Sequence, residues 1–79
     1  MKLNENTINK LSKYAKAFDE VEDNEIRLRL ECEMESFIFG VENATDCTIV
    51  PLWNDGHIVR IVVVDDGIVY SSDKYDVWK

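Results

Sequence analysis

The sequence is short of several things, and each shortage excludes something. No apolar run approaches the roughly 20 residues that a membrane-spanning helix needs. The first residues, Met1-Lys2-Leu3-Asn4-Glu5-Asn6, lack the apolar stretch of a secretory signal. The expected setting is therefore the cytoplasm, that of a host cell if the chain is phage-encoded, with no membrane partner. With a single proline and three glycines, and 46% of residues hydrophobic, the chain is neither a linker nor a disordered tail. Its 79 residues are expected to make one domain spanning 1–79, small enough that only about two-thirds of the unfolded surface is buried on folding.

Catalytic and ligand-binding signatures are equally scarce. The two cysteines, Cys32 and Cys47, have neither zinc nor redox spacing and are expected as small buried hydrophobes without a disulfide. Asn43-Ala44-Thr45 matches a glycosylation sequon, but without a signal peptide it reads as a turn. The lone histidine, His57, stands beside Asp55-Gly56, where a general base is conceivable and an exposed hairpin residue is the plainer reading. Gly40, Gly56 and Gly67 make no phosphate-binding loop. Asp65 and Asp66, with Asp73 and Asp76, lack calcium-loop spacing, and paired aspartates before glycine are what a tight turn requires. The expectation is a protein that is not an enzyme, with no metal and no cofactor.

Basic residues are outnumbered, nine against sixteen acids, for a net charge of −7. Such a balance argues against direct nucleic-acid binding, because phosphates repel it. The charge is also uneven. Residues 1–18 carry four lysines against Glu5. Residues 19–46 carry ten acids against Arg27 and Arg29. Residues 47–79 carry five aspartates against Arg60, Lys74 and Lys79. The central block is the strongly negative one.

What is present reads as an α+β fold: one or two N-terminal helices packed on a three-stranded antiparallel β-meander. Ile8, Leu11, Ala15 and Phe18 recur at helical spacing, with Asn4 or Asn6 as cap, predicting a helix over about 4–18. Residues 25–42 fit two patterns. Ile26, Leu28, Leu30, Cys32 and Met34 alternate with polar residues as in a strand. Ile26, Leu30, Met34, Phe37, Ile38 and Val41 also line one helical face. The helix is favoured, because Leu, Glu, Arg and Met are good helix formers and a strand this long is rare. Strands are predicted over about 47–53, 57–64 and 67–71, joined by turns at Asn54-Asp55-Gly56 and Asp65-Asp66-Gly67. Pro51 marks its strand as an edge.

Two surfaces emerge as candidates. The first is acidic: Asp19, Glu20, Glu22, Asp23 and Glu25, continued by Glu31, Glu35 and Glu42 on one helix face. One helical turn rises about 5.4 Å, so carboxylates there repeat at roughly the spacing of strand phosphates. Like charges at i and i+4 cost the helix stability. Such a row can occupy a basic site on a nuclease or other nucleic-acid-binding protein, as small acidic phage inhibitors of restriction or CRISPR nucleases do. The chain is similar to those in size and charge only. An immunity protein or antitoxin against a basic toxin uses the same electrostatics. The second surface is apolar and aromatic. Ile58, Val62 and Val64 are expected on the sheet face away from the helices, with Trp53, Tyr70 and Trp78 as anchors or core fillers. The tail containing Tyr75 and Trp78, a homodimer mate or a foreign target would cover that face. A homodimeric structural or accessory subunit is thus the reading of a different class.

Overall fold

The computed structural model describes residues 3–73. It has two helices packed on a three-stranded antiparallel sheet, an α+β fold: α1 (Glu5–Glu20), α2 (Asn24–Thr45), β1 (Thr48–Asn54), β2 (His57–Asp65) and β3 (Ile68–Asp73), with sheet order β1-β2-β3.

Helix α1 starts where Asn4, in extended conformation, accepts a hydrogen bond from the Thr7 N–H at 2.8 Å. Its buried residues are Ile8, Leu11, Ala15 and Phe18, the stripe that the periodicity predicts. It stops at Val21, whose extended backbone carries the chain away. Two residues later Asp23 caps α2, accepting from the N–H groups of Glu25 and Ile26 at 2.8 and 3.3 Å. The ambiguity over 25–42 resolves as helix, extended to Thr45 and closed by Asp46 in the left-handed region.

Although α2 is 22 residues long, only Met34 and Ile38 on it are buried. Leu30, Phe37 and Val41 pack against the core from the side. Ile26, expected on the inner face, lies in the first turn of α2 and is half exposed.

Both hairpins turn on two residues with positive φ: Asp55 (52°) with Gly56 (78°), and Asp66 (52°) with Gly67 (79°). Two positive φ values in succession define the turn whose twist matches a two-stranded ribbon, and Asp-Gly is a favoured pair for it. The meander follows directly.

One irregularity alters the sheet's faces. Leu52 pairs with Arg60 but Trp53 pairs with Ile58, so Val59 is an extra residue, a β-bulge. The bulge shifts the phase of β2. Ile58 on one side of it and Ile61, Val63 and Asp65 on the other all point into the core. Ile58 is therefore not on the open face with Val62 and Val64, as strict alternation predicts, but fully buried beneath the helices. The open face carries exposed Val50, Leu52, Val59 and Val69, with Val62 and Val64 half-buried among them.

The outer edge of β1 is partly closed. Its Ile49 N–H donates to Glu42 Oε2 of α2 at 3.0 Å, and Pro51 has no N–H to offer. The expected edge strand is thus tied down by a helix side chain.

Core and surface leucines should respond differently to truncation. Leu11, essentially inaccessible to solvent, should lose about 3 kcal/mol on substitution by alanine. Leu28→Ala, at 63% exposure, should change stability by less than about 0.5 kcal/mol. Urea unfolding followed by circular dichroism measures both.

Candidate docking surface

The eight acidic candidates fall into two groups. Three are engaged by the fold. Asp19 turns inward from the end of α1, with Oδ1 2.8 Å from His57 Nδ1. Asp23 caps α2, and Glu42 holds the β1 edge. The other five, Glu20, Glu22, Glu25, Glu31 and Glu35, are exposed. Among the described residues, none of these five has a Lys or Arg nitrogen within 4.0 Å. Asp23 and Glu25 also sit at the α2 N-terminus, where the helix dipole favours negative charge. Glu20 has no such excuse: it lies at the C-terminal end of α1, which favours cations.

The cation that α1 lacks comes from α2. Arg27 Nη1 donates to the carbonyls of Phe18 at 2.7 Å and Val21 at 3.2 Å. Its Nη2 donates to the Gly56 carbonyl in the first hairpin turn. Its guanidinium carbon lies 5.5 Å from the centre of the Phe18 ring. One side chain thus satisfies open carbonyls at a helix end, in a connection and in a turn.

His57, weighed as a base, belongs to the same corner: its bond to Asp19 joins the start of β2 to the end of α1. Asp65 is buried and Asp66 exposed, so the paired aspartates do not converge on one point. No group of three His, Cys, Asp or Glu among the described residues is arranged to hold a metal ion. Of the cysteines, Cys47 is buried as expected. Cys32 is exposed, because on the helix it falls on the solvent side. On the inner side of the same helix, Tyr14 of α1 packs against Phe37, and burial first and Glu33 second hold its hydroxyl above its ordinary pKa.

The aromatic candidates separate as well. Tyr70 packs against the core. Trp53 meets Phe18 edge-on, ring centres 4.9 Å apart, yet leaves 42% of its surface open. Trp78 and Tyr75 lie outside the described residues.

Trp53 lines two adjoining clefts. One is lined by Phe18, Arg27, Leu28 and Glu31. The other is lined by Met34, Glu35, Phe39, Glu42 and Pro51. Sequence reasoning missed both. A signal existed: Leu28, Glu31, Glu35 and Phe39, at i, i+3, i+7 and i+11, form a second line along α2, beside the core stripe. Leu28 and Phe39 on that line are among the most exposed large apolar residues described.

No helix among the described residues is long and apolar enough to cross a membrane. Comparison with protein-family models, with curated proteins and with solved structures finds no match to this chain.

Arg27→Met keeps the aliphatic stem and removes the donors, so it should cost about 3 kcal/mol through three abandoned carbonyls. The two turn glycines give a finer test of the same contact. At both, alanine is strained by the positive φ, by about 1 kcal/mol. Only at Gly56 does the added Cβ also meet Arg27, at 3.1 Å. Gly56→Ala should therefore lower the thermal midpoint more than Gly67→Ala, and the excess should vanish in the Arg27→Met background.

Proposed function

We propose that this protein is a binding module that docks its acidic face on a basic surface of another protein. In its most concrete form it is an inhibitor that covers the nucleic-acid site of a nuclease or other nucleic-acid-handling protein, as phage anti-defence and anti-CRISPR proteins do. The observation that carries this reading is the set of five exposed carboxylates, Glu20, Glu22, Glu25, Glu31 and Glu35, with no cationic side chain at ion-pair distance among the described residues. Of the two arginines in the acidic block, Arg27 is turned into the fold, which leaves Arg29 as its one exposed cation, beyond ion-pair distance of these five. A row of like charge costs stability, and a basic cleft on a partner relieves that cost while speeding association. Binding rather than catalysis is the proposed activity, and the partner is protein rather than nucleic acid, membrane or metal.

A second reading rests on a separate observation. Val50, Leu52, Val59 and Val69 leave an exposed apolar patch on the open sheet face, which suits a homodimer.

Competition separates the two. Purified nucleases with basic clefts are presented with labelled nucleic acid and increasing amounts of this protein. The inhibitor reading expects displacement that weakens about tenfold between low and high salt. It also expects the double reversal Glu31→Lys with Glu35→Lys to abolish displacement while circular dichroism stays native. Displacement indifferent to salt and to reversal would remove the mechanism. The dimer reading expects a mass by light scattering twice that of the chain, unchanged by salt and halved by Val69→Lys.

A further inference from the structure

We propose that the cleft between α2 and β1 bounded by Glu35, Glu42 and Trp53 is a receptor for an arginine side chain presented by a partner protein. The inference rests on the acidic-face reading and adds to it the chemistry of a specific contact.

The cleft encloses about 300 Å³, and Met34 and Pro51 give it an apolar base. Phe39, 67% exposed, and Trp53, 42% exposed, supply aromatic surface at its margin. Two carboxylates face the same space. Glu35 is exposed and has no ion-pair partner among the described residues. Glu42 is held in place by Oε2, which accepts the Ile49 N–H at 3.0 Å, leaving Oε1 to accept from a ligand. A carboxylate already fixed loses little freedom on binding. No lysine or arginine lines this cleft, whereas Arg27 lines the adjoining one and disfavours a second cation there.

Charge complementarity selects a cation, and the aromatic and apolar lining selects which. A guanidinium is planar and weakly hydrated, stacks on aromatic rings and offers several N–H groups to carboxylates. An ammonium is a compact, strongly hydrated charge. The cleft therefore prefers arginine to lysine, which a merely negative surface does not.

The test uses the full chain labelled with ¹⁵N and two capped tripeptides, leucine–arginine–leucine and its lysine twin. The expected result is saturable shifts at the Trp53 indole N–H, with the indole signals assigned through Trp78→Phe, and at the amides of Glu35 and Phe39. The lysine peptide should bind roughly tenfold more weakly. Glu35→Gln should weaken the arginine peptide about fivefold, while Glu25→Gln, the same change of charge outside the cleft, should leave it within about twofold. Equal binding of the two peptides would overturn the inference, as would equal effects of the two glutamine variants or no shifts up to about 10 mM peptide. If the peptides fail while nuclease displacement keeps its dependence on salt and on charge reversal, the cleft is excluded and the acidic face stands. If the peptides bind as expected and displacement ignores charge reversal, the cleft stands without the inhibitor reading.

Discussion

Arg27 is the point on which the arrangement of this fold depends. Its guanidinium brings together the last turn of α1, the connection to α2 and the turn between β1 and β2. The first two adjoin in the chain and the third lies 29 residues from Arg27, and each brings a carbonyl that needs a donor. Because the donor is a side chain of α2, the start of that helix is tied to the first hairpin turn. The helix then reaches the core mainly through Met34 and Ile38. Arg27 itself lines one of the two clefts that adjoin Trp53.

The same contact shapes the surface charge. A cation among acids would ordinarily sit outside and neutralise its neighbours. Here it is directed inward to backbone oxygens, so the carboxylates around it face water. Asp19, Asp23 and Glu42 meanwhile serve as a hairpin tie, a helix cap and an edge clamp. The acidic block between residues 19 and 46 thus combines groups that build the fold with groups that the fold leaves over. The second kind is available to a partner, and of the first kind only Glu42 keeps an oxygen, Oε1, facing the cleft.

Much of the fold was legible in the sequence because local signals were strong. Asn4 and Asp23 are good caps, the α1 stripe is regular, and two Asp-Gly pairs determine the meander. The phase of β2 was not legible. From Ile58 to Val64 every residue but Arg60 is apolar, so no polar marker shows where alternation slips, and the bulge at Val59 moved Ile58 from the open face to the core. The roles of Arg27, Asp19 and Glu42 were hidden for another reason. Arg27 and Glu42 bond to backbone groups, which every residue has, and Asp19 meets a histidine 38 positions away. The acidic row was readable as composition. Which of its members stay free depended on contacts that composition does not encode.

The clamp on β1 bears on how copies of this chain can add to one another. A sheet grows through unpaired strand edges, and fibres require two of them per molecule. With Ile49 satisfied by Glu42 and Pro51 lacking an N–H, β1 is a poor template. Among the described residues, that leaves the outer side of β3 as the place where strand-by-strand joining can begin. Two molecules meeting there, related by a twofold axis, would present only their clamped β1 strands to the outside, and assembly by sheet extension would end at two.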